Sequence, residues 1–333
     1  MQIKTEDDWI QFLKKSAASP SEKGVGRISI GDDAAIYNPS PGKQQVICSD
    51  SLVEGVHFDL KKISWEDLGW KSLAVNLSDV AAMGATPTSS LLNLSLPKKY
   101  MGEPLKRFLK GYLSLSHKHE VALIGGDTTA SLRDLFISVT VVGEVSSKNL
   151  KLRAQAKPKD VICVTGFLGD SYAGFLLQSQ IWKSPSKGKL LKAHHKPLPQ
   201  VELGKWLGTQ SGVHAMMDLS DGLMKDLSRL CESSKVSAVV NGSEIPTSPS
   251  LIRYAKHFKK SPIYFAVRGG EDYQLLLTCS PSQVEKLVLH AKKKFCQRVT
   301  PIGEIQHQNS KLEAIEWKDL PKNVLAHESF EHF

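Results

Sequence analysis

Four times along this chain an apolar run reaches one or two small residues and then an aspartate: Ile28-Ser-Ile-Gly-Asp32-Asp33, Val46-Ile-Cys-Ser-Asp50, Val121-Ala-Leu-Ile-Gly-Gly-Asp127 and Ala215-Met-Met-Asp218-Leu-Ser-Asp221. A fifth stretch, Trp70–Pro87, carries Asp79: there Leu73, Leu77 and Val80 form an apolar row at helical period and Asn76 and Asp79, three apart, share a neighbouring face. This pattern predicts strands whose mouths carry carboxylates, together with one helix, gathered at one edge of a fold. Two bare carboxylates about 4 Å apart repel by about 4 kcal/mol at an effective dielectric near 20. A cluster of them therefore calls for cations, and oxygen-only ligands without a Cys/His set point to Mg²⁺. A turn or a helix cap accounts equally well for any single aspartate. It does not account well for all five stretches.

Between these stretches helical and strand patterns alternate, which predicts an α/β (α+β) chain. Thr5 and Asp8 open a helix with Trp9, Ile10 and Leu13 on its apolar side, and Gly24–Gly26 leads to the first strand. Strands are expected at Gln45–Cys48, Ser90–Leu96, Val121–Ile124 and Leu135–Val142, with an amphipathic helix at Leu105–His117. Composition turns polar and basic over Ser146–Lys159, and the apolar pattern restarts at Val161-Ile-Cys-Val-Thr165. The expected domains are 1–146 and 147–333. Gly166-Phe-Leu-Gly169-Asp170 then reads as a tight turn into a helix, lacking a Walker A ending or a GxGxxG. Asp221 is a candidate N-cap for a helix bearing Leu223, Met224, Leu227, Leu230 and Cys231, and Glu271-Asp272 forms an acidic pair on a Gly turn before the strand Gln274–Thr278. Ile302–Ile305 is a late strand, and two aromatics in the last four residues predict a docked C-terminus.

A net charge of +9 suits anionic substrates. Its excess lies in stretches such as Lys183–Lys189 and Lys292–Lys294, read as solvated loops without the interleaved aromatics of a nucleic-acid surface, so no nucleic-acid partner is expected. Five cysteines without CxxC spacing, three of them in strand-like runs, indicate a reducing compartment. No apolar stretch approaches the length of a membrane span and no leader pattern opens the chain, which predicts a cytoplasmic protein without membrane contact. No Gly-x-Ser-x-Gly, HExxH or Cys with a nearby His signature appears, which argues against hydrolysis by a side-chain nucleophile.

Taken as a set, these segments resemble the thiamine-monophosphate kinase family: Ser-Ile-Gly-Asp-Asp-Ala-Ala, Ser-Asp-Ser-Leu-Val-Glu-Gly-Val-His-Phe, Ala-Val-Asn-Leu-Ser-Asp-Val-Ala-Ala-Met-Gly-Ala, Ile-Gly-Gly-Asp-Thr-Thr, Val-Thr-Gly-x-Leu-Gly-Asp, Asp-Leu-Ser-Asp-Gly-Leu and Gly-Gly-Glu-Asp-Tyr. They run in that family's order from about residue 29 to the C-terminus. Its superfamily includes aminoimidazole ribonucleotide synthetase and selenophosphate synthetase, but nothing here matches the reactive Cys segment of the latter. The resemblance implies a two-domain aminoimidazole-ribonucleotide-synthetase-like fold, the N-terminal domain binding ATP and Mg²⁺ and pairing into a β-barrel across a homodimer, the C-terminal domain completing the active site.

The implied reaction moves the γ-phosphoryl of the co-substrate ATP to thiamine monophosphate, giving thiamine diphosphate. By the same resemblance Asp33, Asp50, Asp79, Asp127, Asp218 and Asp221 are Mg²⁺ ligands with Ser49 beside them. Gly126, Asp127, Arg153 and Ser220 contact the nucleotide, and His57, Glu271 and Phe330 contact the substrate. Cys48 stands where the family commonly has a hydroxyl residue, and Phe330 lies in Ser-Phe-Glu-His-Phe where it more often reads Gly-Tyr/Trp-Asp-His-Phe. The attacking group would be a substrate phosphate oxygen, already largely ionised at pH 7 because its second pKa is about 6. Direct in-line transfer without a general base or phosphoenzyme is expected, the metal-held Asp50, Asp79 and Asp127 carrying the chemistry and Arg153 adding a bidentate phosphate contact.

Overall fold

The computed structural model describes residues 5–17, 39–308, 314–320 and 324, and these fall into two units. One comprises the chain up to Val80 with Ala85–Ser147; the other comprises Ala81–Gly84 with the chain from Lys148 on. The Asp32–Asp33 pair, Phe330 and the C-terminal aromatics lie outside the described residues.

The first unit contains α1 (Glu6–Ala17), β1 (Gln44–Val53), α2 (Trp65–Ala82), β2 (Thr86–Leu96), α3 (Glu103–Lys118), β3 (Ala122–Ala130) and β4 (Phe136–Val145). The helix predicted from Thr5 and Asp8 is α1, and the two residues close it reciprocally: Thr5 N–H donates to Asp8 Oδ2 at 3.1 Å and Asp8 N–H to Thr5 Oγ1 at 3.2 Å. Its Trp9 is fully buried and donates Nε1–H to Thr128 Oγ1 of β3 at 3.1 Å. The strands form a mixed sheet in the order β1-β4-β2-β3, antiparallel except for the parallel pair β2 and β3, which α3 connects. One sheet face buries Leu52, Leu92, Leu94, Ile137, Val139 and Val141; the other leaves Ile47 and Phe136 exposed.

Helix α2 begins with another reciprocal cap, Asp67 N–H to Ser64 Oγ at 3.0 Å and Ser64 Oγ–H to Asp67 Oδ2 at 2.8 Å. Leu68, Leu73, Leu77 and Val80 have no exposed surface, and Lys71, Ser72, Asn76 and Ser78 are also buried. Fully burying each such leucine is worth about 1.5–3 kcal/mol, which fixes the helix as a central element. Two glycines set how closely α3 approaches it. A Cβ at Gly69 would lie 1.9 Å from the Phe108 carbonyl oxygen, and one at Gly111 would lie 1.7 Å from that of Glu66.

The aspartates of this unit are not all at strand mouths, as expected from the sequence. Asp50 and Asp127 lie inside β1 and β3, and the Gly125-Gly126 step is strand rather than turn. The reason is close backbone approach: a Cβ at Gly126 would stand 1.9 Å from the Leu92 carbonyl oxygen, so the glycines let β3 lie against β2 instead of ending it.

The second unit contains β5 (Val161–Thr165), α4 (Asp170–Leu177), α5 (Lys187–His195), α6 (Val201–Gly208), β6 (Val213–Asp218), α7 (Leu223–Ser234), β7 (Val236–Asn241), α8 (Pro249–His257), α9 (Pro262–Arg268), β8 (Leu275–Cys279), α10 (Val284–Phe295), β9 (Val299–His307) and β10 (Ile315–Lys318). Its mixed sheet runs β10-β7-β9-β5-β8-β6, with only β10 and β7 parallel. Ile162, Val164, Met217 and Leu276 of the sheet share a core with Leu223, Leu227 and Leu230 of α7 and with α9. A separate cluster around Leu177, Trp182, Leu190, Leu251, Tyr254 and Phe265 joins α4, α5, α8 and α9. The lysine runs read as loops prove partly helical: Lys187 opens α5, which fully buried Leu190 anchors, and Lys292–Lys294 form the last turn of α10, where cations complement the helix dipole while staying exposed. No helix among the described residues is long and apolar enough to cross a membrane.

Gly111→Ala is expected to lower stability by about 2 kcal/mol through overpacking of α2 against α3, read from the urea midpoint at unchanged m-value.

Candidate active site

In the first unit, Asn76 ties α2 to β1. Its Oδ1 accepts the Asp50 backbone N–H at 3.0 Å, its Nδ2 donates to Ser72 O at 3.2 Å, and its main-chain oxygen receives the Cys48 thiol at 3.3 Å. Cys48 is also within hydrogen-bonding reach of Asp79, one turn further along α2. Burial above all, then the charges of Asp79 and Asp50, push its thiol far above the usual range, so at this place cysteine is a neutral S–H donor near both carboxylates. Burial also raises the Asp50 carboxyl. The structure thus brings Asp50, Asp79 and Cys48 together.

Ser49, by strand alternation, points the other way: its hydroxyl meets Val139 O at 3.2 Å and Thr140 Oγ1 at 3.0 Å, while Asp50 lies toward Asn76. Gly126 and Asp127 are exposed on β3, at the sheet edge opposite β1, in register with Leu92 and Asn93. His57 Nδ1 accepts the Val53 N–H at 3.1 Å, which places the proton of a neutral ring on Nε2. The glutamate of the same segment, missed as a structural part, closes the end of β1: Glu54 Oε2 accepts the Leu135 N–H at 2.9 Å and Oε1 the Tyr100 hydroxyl at 3.1 Å.

In the second unit, β6 delivers buried Asp218 at its end, and the chain turns through Ser220 and Asp221 into α7. Asp221 is not the cap of that helix. Gly222 occupies the cap position, and Asp226 Oδ2 instead accepts the backbone N–H groups of Asp221 and Gly222 at 3.0 and 3.1 Å. The Asp221 carboxylate is thereby released to pair with Arg229, and Lys225 stands 3.8 Å away. Asp226 was overlooked in the sequence, although a charged residue flanked by the buried Leu223 and Leu227 row was a usable signal. Burial first, with Asp218 next, raises its carboxyl to about 7. Arg153 lies on a short 3₁₀ turn, Arg153–Gln155, held to the end of α7 by the Ser234 hydroxyl, which donates to Arg153 O at 2.7 Å.

The acidic pair before β8 is split between two tasks. Asp272 accepts Gly169 N–H at 2.6 Å and Ser171 N–H at 3.2 Å, so the start of α4 is closed by a carboxylate of the chain itself. This bears out a structural turn at Gly166–Asp170. Burial pushes the Asp272 carboxyl up to about 8 against the pull of those two amides. Glu271 takes a left-handed backbone, φ 62°, donates its N–H to Ser220 O at 2.8 Å and places Oε2 3.0 Å from Nδ1 of buried His194.

Both units carry carboxylates withdrawn from water, and hard oxygen donors of this kind fit Mg²⁺. Among the described residues no group of three or more His, Cys, Asp or Glu side chains is placed to hold a metal ion. Mg²⁺ is commonly held by one or two carboxylates together with waters and substrate phosphates.

Two domain families match the chain in succession: AIR synthase related protein, N-terminal domain, over residues 31–145, and AIR synthase related protein, C-terminal domain, over residues 157–314. The chain is 34% identical to the thiamine-monophosphate kinase of Bacillus subtilis, covering 98% of this chain and 99% of the relative. Among solved structures, the thiamine-monophosphate kinase of Stenotrophomonas maltophilia superposes with a TM-score of 0.80 at 32% identity, covering 93% of this chain and 94% of that one. AaThiL complexed with AMPPCP and TMP superposes with a TM-score of 0.73 at 31% identity, covering 95% of each chain.

The raised carboxyl of Asp272 gives a pH signature. Its folded-state value, about 8, lies above the ordinary 3.8, so the folded protein keeps a proton that the unfolded chain has lost. The stability of the parent protein relative to Asp272→Asn is therefore expected to be greatest near pH 4 and to decline as pH rises toward 8, measured by urea unfolding across that range.

Proposed function

We propose a mechanism for this chain from the premise that it belongs to the thiamine-monophosphate kinase family, of the AIR synthase-related superfamily, and is a thiamine-phosphate kinase using ATP. The observation that carries the mechanism is the Asn76 bridge, which ties the Asp50 backbone and the Cys48 thiol to α2, whose Asp79 lies beside that thiol. Burial raises the Asp50 carboxyl, and a bound cation would offset the cost of keeping its charge out of water. Asp50, Asp79 and Asp127 in the first unit, with Asp33 outside the described residues, and Asp218 and Asp221 in the second, are the proposed Mg²⁺ holders. Ser49 belongs to the same set only through its backbone, since its hydroxyl is engaged with β4. Bound Mg²⁺ would screen the repulsion between two polyanions and stabilise charge on the transferring phosphoryl group.

The chain's own groups orient the reactants. Gly126 lets the β3 backbone come close to a phosphate, and Arg153 and Ser220 complete the nucleotide contacts. His57 offers Nε2–H, Glu271 a carboxylate toward the cationic part of thiamine, and Phe330 an aromatic face. No side chain is needed as base, because the attacking phosphate oxygen is ionised at neutral pH. Transfer is direct and in-line, with inversion at phosphorus. The first unit is proposed to pair with a second copy through the open sheet face bearing Ile47 and Phe136, giving a homodimer, and the second unit to complete the site. We place the protein in the cytoplasm.

Side-by-side assays should show ATP-dependent conversion of thiamine monophosphate and none of free thiamine; comparable phosphorylation of thiamine would refute a phosphate acceptor. Asp79→Asn should lower kcat at least a hundredfold at limiting Mg²⁺ while the thermal melt of the free protein is unchanged or slightly raised. Near-normal turnover of that variant would leave Asp79 as a helix-surface carboxylate with no metal role.

A further inference from the structure

His194 is the penultimate residue of α5, and its side chain is only 5% exposed. It reaches away from its own helix. Nδ1 lies 3.0 Å from Glu271 Oε2 and 3.2 Å from Ser171 Oγ, and the ring stands edge-on to Phe175 with centroids 5.5 Å apart. The place of this histidine is fixed by backbone packing: a Cβ at Gly174 of α4 would fall 2.1 Å from Leu190 O and 3.0 Å from His194 Cβ. Helices α4 and α5 are thus in near contact where the imidazole leaves α5.

Glu271 has the opposite character. Its side chain is 30% exposed and its backbone holds a left-handed φ of 62° in the Gly-Gly-Glu-Asp turn, a conformation that non-glycine residues rarely adopt. Asp272 and the N–H of Glu271 pin the turn on both sides, to the start of α4 and to Ser220 O. A glutamate has three rotatable side-chain bonds, so a pinned backbone alone does not aim its carboxylate. A donor on a packed helix does. An ionised carboxylate can only accept, so the 3.0 Å contact assigns the proton to Nδ1 of His194.

We propose that His194 is a positioning residue for substrate recognition: its Nδ1–H fixes one Glu271 oxygen so that the carboxylate faces the cationic part of thiamine monophosphate. This rests on the reading of Glu271 as a substrate contact. The role belongs to Nδ1 and not to the ring as a whole, and two substitutions separate the possibilities. In His194→Asn the amide nitrogen falls near the place of Nδ1; in His194→Gln it falls near that of Nε2.

The experiment compares KM for thiamine monophosphate and for ATP in His194→Asn, His194→Gln, Glu271→Gln and the double variant His194→Gln/Glu271→Gln, all checked by thermal melts. Expected are a KM for thiamine monophosphate within twofold of the parent in His194→Asn and raised about fivefold in His194→Gln, with KM for ATP within twofold throughout. The double variant should be no worse than Glu271→Gln alone, because His194 acts only through Glu271. Equal effects of Asn and Gln, multiplicative losses in the double variant, or an equal shift in KM for ATP would overturn the proposal. A second readout needs no substrate. In ¹⁵N-histidine-labelled protein the ring signal that disappears in His194→Asn should report a protonated Nδ1 and should move in Glu271→Gln. An unprotonated Nδ1, or no movement, overturns the hydrogen bond itself. A sound hydrogen bond with an unchanged KM in Glu271→Gln locates the failure in the substrate role of Glu271 and removes the positioning role with it.

Discussion

Carboxylates taken out of water must be matched by donors or cations, and both units of this protein are arranged around that requirement. Asp50 is half-buried and raised, and Asp226 and Asp272 are raised to about 7 and about 8 by burial. Each is met in a different way. Asp272 takes backbone amides at the start of α4, Asp226 takes the amides that open α7, and Asp50 has its backbone held by Asn76 with a neutral thiol beside it. The first two are structural carboxylates that close helix starts. Their presence leaves Asp221 to pair with Arg229 and Glu271 to meet His194.

That division shows in two acidic pairs of this chain. In Asp218-Leu-Ser-Asp221 and Glu271-Asp272 one carboxylate is more withdrawn from water and the other is partly exposed. In the second pair the buried member ties down the turn while its partner faces outward. The same economy holds at Cys48. A neutral thiol carries no charge and offers a single donor, so it lies near Asp50 and Asp79 without adding a third negative charge.

The alternation of apolar runs and helical periods made the α/β class, most elements and the central place of α2 legible. Trp9, Leu73, Leu77 and Val80 were chosen from periodicity and are fully buried. The strand-mouth expectation failed at Asp50, where β1 goes on pairing with β4 to Val53, and at Asp127, where Gly-Gly in β3 serves close approach to β2 and glycine written in a sequence does not distinguish a turn from a contact. The cap assigned to Asp221 belongs functionally to Asp226, since which of two nearby carboxylates reaches an amide depends on the angle at which the chain enters α7. His194 carried no sequence signal at all. It lies 77 positions before Glu271, and only the packing of α5 on α4 brings it within 3.0 Å.

By itself, then, the sequence determined the chemistry available: hard oxygen donors without a soft set, no activated side-chain nucleophile, and an ordered series of motifs that identifies the family. Those properties depend on residue identity and local spacing, which are one-dimensional. Tertiary structure decided which carboxylates are closed off as helix caps and which stay partly exposed, that the Ser49 hydroxyl turns from the Asp50 face, and that a histidine from a distant helix grips Glu271. These outcomes depend on burial and on contacts between residues far apart in sequence, and they exist only once the helices and sheets have packed.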